Sequence, residues 1–356
     1  MTKIFFIRHA EAEGNIYRRA HGHLDGQIIG RGFLQIKQLE LRFEHEKIDA
    51  VYSSDLSRTQ DTAAAIYKPR GLRLSTDSRL REVNVGVWED TAWGDLEYNE
   101  SEMCGYFGFD PARWRVDGCE EYSSVIARMT DCLREIGERH EGGTVAVFSH
   151  GFAIRATISE IMGVKSHEVR KVPYCDNTAV TLLNYDKGEL KIEYQGDNSH
   201  LSSDVSTFAN QTWWRGEKAQ HRENLRYMPL DAEHDAVLLS KAGGRFSCFT
   251  TAFLGDEPIG LVGLDISRES DEDTGWIDQI YLTPEHDQAE FAIQLIGQAV
   301  SEFRKLGRKR IKIEVPAEGQ EFYLKYGFLS KGGSGGVCLM EKDITLKVMG
   351  IKGLVC

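Results

Sequence analysis

Strand and helix patterns alternate along the first 200 residues and then change their order, and that change limits the folds open to the chain. The opening run KIFFIR reads as a strand. RGFLQIKQLELRFEH places Phe33, Leu34, Ile36, Leu39, Leu41 and Phe43 at mostly helical spacing. AVYSS is a second strand, and LSRTQDTAAAIY a helix that stops before Pro69 and Gly71. LRLSTD looks like a third strand, and Val125, Ile126, Met129, Leu133 and Ile136 mark an amphipathic helix. TVAVFSH reads as a buried strand ahead of a helix in GFAIRATISEIMG, and TAVTLLNYDKGELKIEYQ as a hairpin turning at Asp186, Lys187 and Gly188. This alternation predicts a three-layer α/β domain, its mainly parallel sheet covered on both faces.

From His200 to about Arg222 the pattern breaks. The stretch is polar and carries Trp213 and Trp214, and it reads as an ordered linker whose tryptophans pack on a neighbouring domain. Beyond it comes a strand in NLRYMPL, then a hairpin in FSCFTTAFLGDEPIGLVGLDI with its turn around Asp256, Glu257 and Pro258. A strand in GWIDQIYLTPE, a helix in EFAIQLIGQAVSEFRKLG, a strand in RIKIEV, a short helix or turn in EFYLKYGF and a strand in VCLMEKDI complete an α+β unit. The expected layout is a domain over 1–200, a linker over 201–221, a second domain over 222–343 and a tail over 344–356.

The formal net charge is −12. The first 200 residues hold 25 basic and 32 acidic residues, the remainder 18 and 23. With neither half basic, nucleic acid and anionic membrane are not expected as partners, whereas a small phosphorylated metabolite could enter a locally cationic pocket. The N-terminus lacks the pattern of a signal peptide, and no apolar run approaches a membrane span. The seven cysteines are odd in number, scattered and never spaced C-x-x-C. They predict reduced thiols in a cytoplasmic protein, with neither a disulfide framework nor a zinc site.

Charged residues recur where the strands of the first half end. Arg8 and His9 follow the first strand, Arg58 lies just past the second, Glu82 after the third, and His150 ends TVAVFSH. In a parallel α/β sheet such ends line one crevice. A neutral imidazole with one ring nitrogen held by a hydrogen bond can attack phosphorus. Arg8 and Arg58 can chelate phosphoryl oxygens. His150, if protonated, would add a donor, and the helix after it has an N-terminus that favours anions. Glu82 could protonate the leaving oxygen and later deprotonate water. With the phosphoryl charge matched by cations, no metal is required. His21, His23 and Asp25 suggest a metal site only weakly, since no further ligand stands at a zinc-like spacing.

FIRHAEAEGN, VYSSDLSRTQDTA, LREVNVGVWED and VFSHG together resemble the histidine phosphatase superfamily, the phosphoglycerate mutase-like proteins, over about Lys3 to Gly196. The resemblance implies that His9 is phosphorylated, that Arg8, Arg58 and His150 bind the phosphoryl group with help from Asn15, and that Glu82 donates the proton. Ala10 replaces the usual glycine after the catalytic histidine, and Ala12 stands where Ser or Thr is common. The short span from Glu82 to His150 favours a phosphatase, with mutase-type phosphotransfer as the alternative. Trp88 to Tyr122, rich in aromatics and acids, is either a packed helical cap or a substrate-selecting lid.

The second half resembles the GNAT acyltransferases from about Asn224 to Asp343. In that family a glycine-containing turn offers N–H groups to the pyrophosphate of acetyl-CoA. Here the aligned run is Asp287, Gln288, Ala289, Glu290, Phe291 and Ala292, of which Ala292 alone fits the pattern. Tyr323 and Tyr326 stand where a general acid is often found. The expectation is impaired acetyl-CoA binding, with a bifunctional phosphatase/N-acetyltransferase as the alternative.

Overall fold

A computed structural model describes the chain except for residues 213, 215–222, 232–237, 239, 241–247, 269–271, 287 and 347–356. In chain order the first part forms β1 (Thr2–Arg8), α1 (Glu13–Ile16), α2 (Arg31–Arg42), β2 (Ala50–Ser53), α3 (Ser57–Tyr67) and β3 (Leu74–Thr76). Then follow α4 (Trp93–Asn99), α5 (Ser101–Phe109), α6 (Tyr122–Arg139), β4 (Thr144–Ser149), α7 (Gly151–Ile161), β5 (Val180–Asp186), β6 (Glu189–Asp197) and α8 (Thr207–Asn210).

The first compact unit takes residues 1–12, 21–89 and 100–214. Its sheet runs β3-β2-β4-β1-β5-β6. β1 to β4 are parallel, and the expected hairpin β5–β6 adds two antiparallel strands. The central strands are apolar on both faces: Ile4, Phe6, Ile7 and Val145 to Phe148 are fully buried, as helix-covered parallel strands require. Leu39 of α2 and Phe43 just past its end enter the core with Ile36 packed beside them, whereas Phe33, Leu34 and Leu41 are exposed. Positions 36, 39 and 43 follow i, i+3, i+7 and share one face; the other three lie off it.

Residues 201–212 and Trp214, expected as linker, belong to this unit. Ser206 caps α8 and donates to Asp176, while Thr207 donates to Glu11 and receives Gln35. Trp214 stacks on Phe208 with centroids 4.7 Å apart. Trp213, residues 215–221 and tail residues 347–356 lie outside the described residues.

The second unit has a seven-stranded sheet, β12-β13-β11-β10-β9-β8-β7. Its elements are β7 (Arg226–Pro229), β8 (Cys248–Leu254), β9 (Glu257–Asp265), β10 (Thr274–Leu282), α9 (Ala289–Lys305), β11 (Arg310–Pro316), α10 (Gln320–Lys325), β12 (Leu329–Ser334) and β13 (Val337–Asp343). β10 and β11 are parallel, and their pairing runs from Thr274/Arg310 to Ile277/Ile313. β12 carried no sequence signal. Its residues LSKGGS are exposed and do not alternate, and β13 holds it through backbone pairing.

The compact units do not follow chain order, because the second also contains Glu13–Ala20 and Asp90–Asn99. Glu13 is fully buried, 2.8 Å from Arg304 on α9 and 3.6 Å from Lys342 on β13, both nearly buried themselves. Arg19 pairs with Asp90 and donates to Gln298 and Ser301 of α9. A Cβ on Gly297 would lie 2.5 Å from the Tyr17 side chain, and one on Gly94 2.3 Å from the Leu225 carbonyl oxygen. These 18 residues therefore fit the acetyltransferase-like sequence through close backbone approach and buried ion pairs, features no hydrophobic period announces. Among the described residues no helix is long and apolar enough to cross a membrane.

Candidate active site

β1 and β4 pair in parallel with Arg8 opposite Ser149, so the residue following each strand lands beside the other. Those residues are His9 and His150, with ring centroids 5.2 Å apart. The His9 N–H donates to the Ser149 carbonyl, the Ala10 N–H to Thr62 Oγ1, and Asn177 Nδ2 to the His9 carbonyl. The backbone at His9 is thereby held from three sides.

The His9 ring is oriented by its own chain. Nδ1 lies 2.7 Å from the Ala10 carbonyl oxygen. A carbonyl can only accept, so Nδ1 carries the hydrogen and Nε2 keeps the lone pair. Burial drives the His9 pKa well below its ordinary value, and the neighbouring Arg58 and Arg8 charges push the same way. His9 is thus a neutral imidazole at physiological pH.

His150 is held in the opposite tautomer. Arg58 Nε donates to its Nδ1 at 3.2 Å, so the hydrogen sits on Nε2. Burial first, then Arg58 and His9, keep its pKa well below the ordinary histidine value. Beside a guanidinium in a buried site, His150 therefore offers a neutral N–H donor.

The two arginines are fixed by carbonyls. Arg58 donates to Leu24 and Gly22 oxygens at 2.7 and 2.8 Å, and Arg8 to the Cys175 oxygen at 2.6 Å. The loop supplying the Arg58 partners is itself held by Glu89, which accepts the N–H groups of Gly22, His23 and Leu24. Arg8 packs against Gly151, where a Cβ would come within 3.2 Å of its Nε. Arg8 Nε and His150 Nε2 are buried donors without a hydrogen-bond acceptor among the described residues. Two such donors beside a nucleophilic nitrogen fit a phosphoryl group.

Glu82 sits at the start of α7. Its carboxylate accepts the N–H groups of Phe152 at 3.0 Å and Ala153 at 2.8 Å, and also that of Val83. The helix N-terminus expected to attract an anion therefore engages Glu82.

Of the expected site residues, the structure brings Arg8, His9, Arg58, Glu82 and His150 into one hydrogen-bonded region of the first unit. Asn15 lies on α1 and belongs to the second unit. Tyr323 on α10 packs edge-on against Phe322 and Phe328, and burial pushes its hydroxyl up to about 12. Tyr326 follows that helix with its ring against Phe322. His23 Nε2 donates to the Glu82 carbonyl, and Asp25 accepts from the backbone and hydroxyl of Ser57. In the Trp88–Tyr122 stretch, Trp88 and Trp114 are buried together, and Phe107 stacks on Phe152 with centroids 4.8 Å apart. Sequence reasoning missed Thr62, Glu89, Cys175 and Asn177. Three of these act on or through backbone atoms and the fourth offers a carbonyl, so no charge pattern marks them.

Comparison with known proteins agrees with this geometry. Residues 4–198 match the histidine phosphatase superfamily (branch 1), and the chain belongs to that family. Residues 210–328 match the acetyltransferase (GNAT) family. Phosphoserine phosphatase 1 of Hydrogenobacter thermophilus is 30% identical over 187 residues, covering 52% of this chain and 88% of that protein. Phosphoglycerate mutase-like protein 4 of Arabidopsis thaliana is 33% identical over 206 residues, covering 56% and 87%. Among solved structures, Bacillus stearothermophilus YhfR matches with a TM-score of 0.55 at 26% identity, over 57% of this chain and all of that one. The similarities support phosphatase or mutase chemistry in the first part of the chain, joined to a GNAT domain.

Proposed function

We propose that the protein hydrolyses small phosphomonoesters through a phosphohistidine at His9. One observation carries this reading: His9 Nε2 bears a lone pair in a neutral ring whose Nδ1–H is held by the Ala10 carbonyl. Nε2 attacks phosphorus as the bond to the ester oxygen breaks, and Glu82 gives its proton to the departing oxygen. Glu82 then takes a proton from water, the resulting hydroxide attacks phosphorus, and the P–N bond breaks to return neutral His9 and inorganic phosphate. Arg8, Arg58 and the His150 N–H supply the positive field, so the step needs no metal ion. A panel of phosphate esters assayed with and without chelator tests this. Phosphate release unaffected by chelator is expected; loss on chelation with recovery on adding a divalent ion would contradict it. With 3-phosphoglycerate, phosphate release should exceed isomerisation, and the reverse would favour the mutase reading.

The GNAT domain, in our reading, binds acetyl-CoA weakly. Gln288 precedes α9 without a side-chain cap, and exposed Glu290 occupies its first turn. Side chains stand there where glycines would let N–H groups reach a diphosphate. Asp287, the other acid in this argument, lies outside the described residues. Calorimetry of the full chain with acetyl-CoA should show no low-micromolar binding. Such binding would make the second half a second enzyme.

A further inference from the structure

Glu82 can serve as a proton donor only if the segment carrying it is fixed, and besides His23, which donates to the Glu82 carbonyl, one side chain outside the reacting groups gathers three of its carbonyls. Arg128 lies on α6, in the same unit. Its Nη1 donates to the Arg79 and Arg81 carbonyls, both at 2.7 Å, and its Nη2 to the Glu82 carbonyl at 3.0 Å. Three carbonyls within four residues thus converge on one guanidinium. Nε and Nη2 are occupied by Glu120, at 2.7 and 2.9 Å, in a two-pronged pair that sets the plane of the fork. Glu120 is itself tied to this region, since its N–H donates to the Asn84 carbonyl and its carboxylate accepts the Asn84 N–H. The flanking chain is pinned as well: Arg81 pairs with Asp55 in a two-pronged contact, and Ser149 Oγ donates to the Leu80 carbonyl.

We infer that Arg128 is a positioning residue for the proposed hydrolysis: it fixes the backbone at Glu82 so that the carboxyl is aligned for proton transfer to the leaving oxygen. The inference rests on the phosphohistidine reading above. Arg128 does not touch the reacting atoms. Its contribution is geometric, and misplacement by about 1 Å can cost on the order of 10²-fold in rate. Lysine keeps the charge but cannot span three carbonyls and a carboxylate in one plane. Charge alone is therefore not the property at stake.

The test uses the full-length chain with paired substrates, an alkyl phosphate and an aryl phosphate carrying an activated leaving group. Arg128→Lys should slow the alkyl ester roughly 10- to 100-fold and the aryl ester about 3-fold or less, because an activated phenolate leaves without a proton. In a Glu82→Gln background the same substitution should cost nothing further on the alkyl ester, since the two residues act as a unit. Glu120→Gln, which loosens the fork without removing it, should reproduce the leaving-group pattern more weakly and serves if Arg128→Lys does not fold. Equal losses on both esters, or losses that multiply with those of Glu82→Gln, would overturn the inference. Failure of the underlying reading is seen separately, as absence of phosphohistidine in the unsubstituted protein.

Discussion

Two helices in this molecule begin where an anion would be expected, and they treat that end differently. At α7, the N–H groups of Phe152 and Ala153 are taken by Glu82, and the residue before the helix, His150, receives a hydrogen bond from Arg58. At α9, the N–H groups of Phe291 and Ala292 turn back to the Gln288 carbonyl, and the first turn carries Glu290. The strong electrostatic contacts of α9 lie at its other end, where Arg304 meets buried Glu13. A helix dipole is the same in both cases. What separates them is the company of the carboxylate: at α7 Glu82 bonds the first N–H groups beside Arg58 and His150, whereas at α9 Glu290 stands in the first turn after a Gln288 that makes no side-chain cap.

Removing the carboxylate at α7 should have the largest effect. Glu82→Gln is expected to slow alkyl phosphates by about 10²–10⁴-fold and aryl phosphates far less. Equal losses in steady-state kinetics would make Glu82 structural and dissolve the contrast between the two helix starts. Next is the far end of α9. Glu13→Ala leaves Arg304 and Lys342 buried without their carboxylate, which should cost about 3–5 kcal/mol in denaturant unfolding of the full chain. A loss under about 1 kcal/mol would show that the cluster does not anchor α9.

The buried histidines should make stability depend on pH. Their pKa values are lowered in the folded protein, so below about 6.5 the unfolded chain binds more protons. Stability supplied by the neutral rings is then lost as pH falls from about 6.5 toward the folded-state values. Unfolding midpoints at pH 7.5 and 5.5 should differ in that direction, and less so in His150→Asn. An unchanged difference in that variant would mean other groups set the slope. The smallest effect is expected at α9, where Glu290→Gln should raise acetyl-CoA affinity only a few-fold, since solvent and salt screen an exposed charge. A gain of a hundredfold would show that this one carboxylate had been blocking a competent site.

The contrast bears on what was legible in the sequence. Arg8, His9, Glu82 and His150 could be found because strand periodicity locates strand ends, and charge at a strand end is conspicuous. Acidity at α9 was legible for a different reason: Glu290 stands where the resembled family pattern has glycine. The tautomer of His150 was not legible, because it depends on which of its nitrogens meets Arg58. Nor were Glu89, Asn177 and Arg128, whose contacts to the site segments are made to backbone groups that carry no residue identity. The transfer of Glu13–Ala20 and Asp90–Asn99 to the second unit escaped for a related reason. Tyr17 against Gly297 and Glu13 against Lys342 are contacts between distant parts of the chain, and a local pattern reports only its own neighbourhood.

The central claim is that a covalent phosphoryl intermediate forms on His9, which follows β1 and lies beside His150 at the start of α7. It is tested most directly by rapid mixing with a phosphorus-labelled aryl ester, quenching in alkali, where phosphohistidine survives, and mapping the label by peptide mass spectrometry. The account predicts label on His9 within the first turnover, its loss on acid treatment, and none in His9→Ala. Turnover without label on His9, or label on another residue, would contradict it.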